Sequence, residues 1–218
     1  GDGSWVGDVN GDGHPDIAAV EESNGEFKWW ASSNQQADVS SAALSPACTG
    51  GTPGCVEEGT AEAVLSITLD HSFGRTGDTD IELGVLDLLL EKDVSTAATP
   101  MSDGEAANAF SALEVWADDG DGSFNAASDT EVLNISAFTL TAGTLSVAVP
   151  SSAGNAVSFG DTRTFFLVVD AAGTAVANAV DDLRITWQPT ASAVIHHAGT
   201  DVPVLLDGGV SDQAVTFS

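Results

Sequence analysis

Short aliphatic and β-branched runs, each closed off by Gly, Asp, Ser or Pro, follow one another along most of the sequence. The clearest cover residues 64–69, 81–90, 113–116, 144–149, 164–169, 183–187, 202–206 and 214–217. Runs this short, separated by turn chemistry, are too brief for helices and read as strands. Around eight of them at this spacing predict a β-sandwich. Composition agrees, since Gly, Ala, Ser, Thr, Val and Asp dominate and Tyr is absent. One helical interruption is predicted over 103–111, where Ser102 precedes Glu105 by three residues in the capping-box spacing. The expected class is therefore all-β, an Ig-like or jelly-roll-type β-sandwich with one short helix.

Three regions separate along the chain. Residues 1–37 hold a Gly/Asp loop, a run at 17–20, a turn at Ser23-Asn24-Gly25 and a second run at 26–30. Residues 38–60 are rich in Ser, Ala, Pro, Gly and Thr, the chemistry of a linker. Residues 61–218 carry the sandwich pattern. Cys48 and Cys55 enclose a small Thr/Gly/Pro loop within the linker, compatible with a local disulfide and an oxidising compartment. Two buried free thiols are the alternative. The chain begins at Gly1 rather than Met, so the expectation is a processed product or a piece of something longer.

Charge excludes several partners. The chain carries 33 acidic against five basic residues, a formal net charge of -28. Nucleic-acid binding needs Lys and Arg to neutralise phosphates, and adsorption to an anionic membrane needs them too. No membrane insertion is expected, because the longest apolar run, near 83–90, is interrupted by Asp87 and falls short of bilayer length. At 43% hydrophobic residues the chain has the material for a core that a disordered acidic tail lacks. Its natural counter-ions are cations.

A first constellation runs from Asp8 to Asp16. Oxygen-bearing side chains fall at Asp8, Asn10, Asp12 and Asp16, with the His14 carbonyl available between them. Gly11 and Gly13 permit the positive φ angles of a tightly coiled loop. Carboxylates, an amide oxygen and a carbonyl suit a hard cation with many oxygen ligands, Ca²⁺ before Mg²⁺. The start follows the EF-hand pattern, but Ala19 stands at the twelfth position and Pro15 with the 17–20 run points to a strand, not a helix. A metal-free Asp/Gly surface turn is the competing reading.

The stretch Gly7-Asp8-Val9-Asn10-Gly11-Asp12-Gly13-His14-Pro15-Asp16-Ile17, followed by Phe27-Lys28-Trp29-Trp30, resembles one FG-GAP/VCBS-type repeat. The resemblance implies a propeller-blade-like segment whose loop binds calcium, with Asp8, Asn10, Asp12 and Asp16 as ligands and His14 at the carbonyl position. It covers about the first 35 residues and only a single copy is found, whereas a propeller needs several blades to close. A lone blade leaves open strand edges, so either upstream blades were removed, or it packs on its own sandwich or on a neighbouring molecule.

A second constellation, Ala117-Asp118-Asp119-Gly120-Asp121-Gly122-Ser123-Phe124-Asn125 with Asp129 downstream, lies between the run at 113–116 and a strand expected at 130–135. Asp119, Asp121, Ser123 and Asp129 can supply oxygens to a second calcium, with Phe124 as a buried anchor or carbonyl donor. An ordinary Asp-Gly turn explains the same residues. This loop, residues 77–83 and residues 163–169 are similar to β-sandwich modules of large bacterial extracellular surface proteins.

Other features carry less. Asp78, Asp80 and Glu82 share one strand face, which reads as solvated or, alternatively, as an acid pair or third cation site. His196 and His197 point to opposite faces of a strand and cannot chelate one ion together. Asn134-Ile135-Ser136 matches the N-glycosylation acceptor pattern. No nucleophile motif, HExxH, phosphate loop or CxxC is present, although a carboxylate pair of glycosidase type leaves no short motif. The expectation is a non-enzymatic, calcium-stabilised extracellular structural protein whose subunits self-assemble into a filament or surface layer by strand or blade complementation. The alternative is a stalk or adhesion ectodomain binding surface glycans or other cell-surface proteins. An accessory region of an extracellular hydrolase is a third reading.

Overall fold

The computed structural model describes residues 4–7, 16–21, 26–30, 36–48, 52–72, 79–175, 182–191, 193–198, 202–206 and 210–217. The chain divides into two units, Gly1–Gln35 and Gln36–Ser218. In the first, β1 (Ser4–Gly7), β2 (Asp16–Glu21) and β3 (Glu26–Trp30) form an antiparallel sheet in chain order. The β2–β3 hairpin pairs Ile17 with Trp30 and Glu21 with Glu26, as the two runs and their Asn-Gly turn predict.

The second unit is the expected sandwich. It opens with β4 (Gln36–Ala43) and the small hairpin of β5 (Ala47–Cys48) and β6 (Thr52–Pro53). The stretch 38–60 that reads as a linker thus contributes strands. Small Ser and Ala side chains give no periodic signal, but β4 pairs along β7 (Ala61–Asp70) from Asp38 to Ala43. Cys48 and Cys55 form a disulfide with their Cα atoms 5.3 Å apart, and the Gly54 and Cys55 N–H groups both donate to the Pro46 carbonyl. A closed disulfide fits a non-reducing environment.

In β7, Leu65, Ile67 and Leu69 are buried and alternate with Ser66 and Thr68, which face outward. A register shift against the strand Thr162–Ala171 turns both Val64 and Leu65 inward. The run at 81–90 is not one strand but two, β8 (Ile81–Leu83) and β9 (Val85–Lys92). Gly84 is the cause: a Cβ there would press on the Ala193 carbonyl oxygen and lie 2.8 Å from His196 Nδ1, so the chain changes sheets where only glycine fits.

After β10 (Thr99–Pro100) comes α1 (Asp103–Ala109), whose N-cap Ser102 and Glu105 form the predicted capping box. The helix ends at Ala109, ahead of the predicted 111, because Phe110 is extended and buried against Phe138 and Phe217. There follow β11 (Phe110–Ala117), β12 (Thr130–Ile135), β13 (Thr144–Ala148), β14 (Ala156–Val157) and β15 (Thr162–Ala171). The chain closes with β16 (Leu183–Trp187), β17 (Ile195–His197), β18 (Leu205–Leu206) and β19 (Gln213–Phe217).

One sheet has the order β12-β11-β15-β7-β4-β18; the other runs β10-β9-β16-β19, with β13 also on β9. Leu86, Leu88 and Leu90 of β9 and Ile185 and Trp187 of β16 meet Leu113, Phe165 and Leu167 from the first sheet in a single core. A smaller sheet, β14-β8-β17, closes one end. There Asn155, fully buried, accepts from the Leu83 N–H at 3.0 Å and donates to the Leu83 carbonyl at 2.9 Å and the Pro150 carbonyl at 3.2 Å. Its amide thus stands in for a strand backbone opposite Leu83.

Glu105 also carries a surface ion pair, with Lys92 Nζ 2.6 Å from one oxygen and the Ser102 N–H and hydroxyl on the other. Lys92 first, then the Ser102 bonds, hold its carboxyl down to about 2. A depressed carboxylate adds stability above its ordinary value and loses it as pH falls through the depressed one. Thermal melts of Glu105→Gln should therefore lose less stability than the parent between pH 4.5 and about 2. Parallel curves would mean that the pair does not persist in solution.

Candidate functional site

The Asp-rich loop between β11 and β12 is built by backbone bonds to its own carboxylates. Asp118 still follows the sheet, its N–H donating to the Thr164 carbonyl at 3.0 Å. The chain then coils through Gly120 and Gly122, at φ +107° and +79°, conformations that other residues adopt only with strain. The coil lets the Gly122 N–H donate to Asp118, the Asp121 N–H to Asp119 and the Ser123 N–H to Asp121. Asp129, nearly buried, closes the base by accepting from the Asp119 N–H at 3.1 Å and the Asn125 N–H at 2.8 Å.

Phe124 pins the loop to the sheet. Its ring lies 5.7 Å from Trp116 and 6.1 Å from Phe166, both edge-on, which is why Phe166 is buried although it faces away from the main core. With the loop so held, Asp118, Asp119 and Asp121 each present a carboxylate oxygen within 4.8 Å of the others. In water each such pair repels by roughly 1 kcal/mol. A hard cation among them would remove that repulsion and find several oxygens at once.

Of the four residues expected here, the structure brings Asp119 and Asp121 together. Ser123 donates its backbone N–H to Asp121, and Asp129 accepts from the Asp119 and Asn125 N–H groups. Asp118 joins instead, and sequence reasoning passed over it. The signal was its place as the last residue bonded to the neighbouring strand, which aims its side chain over the coil. From the first loop, Asp8, Asn10, Asp12 and His14 lie outside the described residues, and Asp16 opens β2 opposite Gly7.

The remaining candidates are dispersed. Asn134 is exposed on β12, its amide donating to Glu114 at 2.9 Å, while the other Glu114 oxygen accepts from the Trp116 indole at 2.7 Å. Glu82 is not on a solvated face: it is 2% exposed and accepts from the Ser151 hydroxyl at 2.7 Å. His196 sits opposite Glu82 and His197 opposite Ile81, with His197 bonded to Thr79, so the two imidazoles do diverge. Asp78 lies outside the described residues. No helix among the described residues is long and apolar enough to cross a membrane. No protein-family model, no curated protein and no solved structure matches the chain.

Proposed function

We propose that this chain is a non-enzymatic, calcium-stabilised structural protein of the extracellular space that self-assembles into a filament or surface layer. The observation that carries the reading is the gathering of Asp118, Asp119 and Asp121, each with a carboxylate oxygen within 4.8 Å of the others, on a loop coiled by backbone bonds to those carboxylates. The disulfide supports the location. The resemblance of residues 1–35 to an FG-GAP/VCBS-type blade is supported by the antiparallel meander β1-β2-β3, since a full blade is a four-stranded sheet. Among the described residues this sheet has three strands, and a sheet with an unfilled edge is a donor or acceptor for β-addition from a second subunit. A stalk or adhesion ectodomain is the second reading, favoured by the same blade resemblance.

Calcium bound only to the folded state stabilises it by about 2.7 kcal/mol at a hundredfold excess over Kd. For a domain of this size that raises the melting temperature by roughly 5–10 °C. Chelator should remove the gain, Asp119→Asn with Asp121→Asn should remove much of it, and electron microscopy should show assemblies dissolving with the calcium. Identical melting curves with calcium and with chelator would end the calcium reading. Dispersed molecules in both conditions would transfer the weight to the stalk.

A further inference from the structure

The chain holds one Asn-X-Ser/Thr triplet, Asn134-Ile135-Ser136, and its other asparagines lack the hydroxyl residue two places on. The triplet falls at the end of β12, where alternation sorts its side chains. Ile135, 7% exposed, joins the core, while Asn134 and Ser136 are exposed. A sugar on the Asn134 amide would therefore project into solvent and displace nothing from the core. Across the ladder Asn134 stands opposite Glu114 of β11. One Glu114 oxygen accepts from the Asn134 amide at 2.9 Å and the other from the Trp116 indole N–H at 2.7 Å. The amide nitrogen and a half-buried indole thus share one carboxylate. Sugar addition replaces only one of the two amide hydrogens, so the bond to Glu114 can persist in the product.

We infer that Asn134 carries an N-linked glycan whose first sugar lies against Trp116. The donor is an oligosaccharide held on a polyprenyl-phosphate-type lipid, and a transferase supplies the base. Asn134 Nδ2 bonds to the anomeric carbon as that carbon's bond to the phosphate oxygen breaks. The lipid phosphate leaves with the electron pair, and the amide gives up one proton. Transfer to the chain before β12 pairs with β11 needs only the triplet, and the fold then decides where the product lies. With its remaining N–H on Glu114, the linkage is held beside the indole, whose apolar ring suits the C–H face of a sugar. Phe124, edge-on at 5.7 Å, braces the same indole. The inference rests on the extracellular location in the proposed function and uses neither its calcium nor its assembly.

The test takes the chain as its own cells produce it, with mass mapping and fragmentation of the peptide that contains Asn134. The expected result is an increment of whole sugar residues located on Asn134, kept in Ser136→Thr and lost in Ser136→Ala. Ser136→Ala leaves Asn134, Glu114 and Trp116 in place, so it also serves as the comparison for the indole contact. Brief oxidation should modify Trp116 severalfold more in Ser136→Ala than in the parent, while Trp187, 0% exposed, stays equally protected in both. Glu114→Ala should keep the glycan yet lose much of the protection of Trp116. A bare Asn134, or an increment located on Ser136, would overturn the inference. Assemblies that still dissolve with chelator would then leave the proposed function standing. Equal oxidation of Trp116 in the parent and in Ser136→Ala would overturn the contact with the indole.

Discussion

Trp187→Ala is expected to destabilise the second unit by about 3–5 kcal/mol, the range for removing a fully buried aromatic side chain. Trp187 is 0% exposed on β16, flanked in register by Leu88 of β9 and Gln213 of β19. Its loss opens a cavity that rigidly hydrogen-bonded neighbours cannot collapse into. The indole Nε1 is buried with no hydrogen-bond partner among the described residues, so Trp187→Phe sheds volume but breaks no bond there. That variant should cost only about 1–2 kcal/mol, the scale of a partial cavity. Urea denaturation of both variants decides it, with midpoints moving and m-values unchanged. Equal losses would mean that the indole N–H has a partner in solution, such as a trapped water.

Asn155 should be nearly as sensitive for a different reason. Asn155→Leu keeps the bulk but strands the buried Leu83 N–H and carbonyl, and breaks the half-buried bond to Pro150. At about 1–3 kcal/mol for each buried group left unmade, and with some relaxation, a loss of about 3 kcal/mol is expected. Asn155→Asp should be worse at neutral pH, because a carboxylate oxygen would then face the Leu83 and Pro150 carbonyls. Part of that loss should return in acid, where a protonated carboxyl can donate to one of them. Thermal melts at neutral and acidic pH distinguish the two variants. An Asn155→Leu protein as stable as the parent would show that β8 does not depend on this amide.

The sequence announces those parts of the fold in which side chains vary with the right period. Leu65, Ile67 and Leu69 mark β7, and Ser102 with Glu105 marks the helix start, because alternation and capping are local chemistry. Strand β4 escapes notice since Ser and Ala carry no contrast, and only the ladder to β7 makes it a strand. Gly84 hides inside an apolar run because the constraint on it, the Ala193 carbonyl, comes from far along the chain. Glu82 is similar: an acid in an acidic chain reads as solvated until Ser151 is brought to it. In the candidate site, Asp119 and Asp121 stand out by their glycines. Asp118 and Asp129 take roles set by which backbone N–H groups the coiled loop presents, and residue spacing does not reveal those.

Three of the five basic side chains are paired within the chain. Arg184 holds Glu91, Lys92 holds Glu105, and Arg163 donates to the Ala153 and Gly154 carbonyls. With 33 acidic residues against five basic ones, the molecule travels with an atmosphere of mobile cations. That atmosphere extends about 8 Å at physiological ionic strength and about 30 Å in dilute salt. Crowded copies would be held apart by overlapping ion clouds in fresh water and could approach closely in brine. The spacing of these molecules in any dense layer would then follow the salinity of the medium, with no change in the fold.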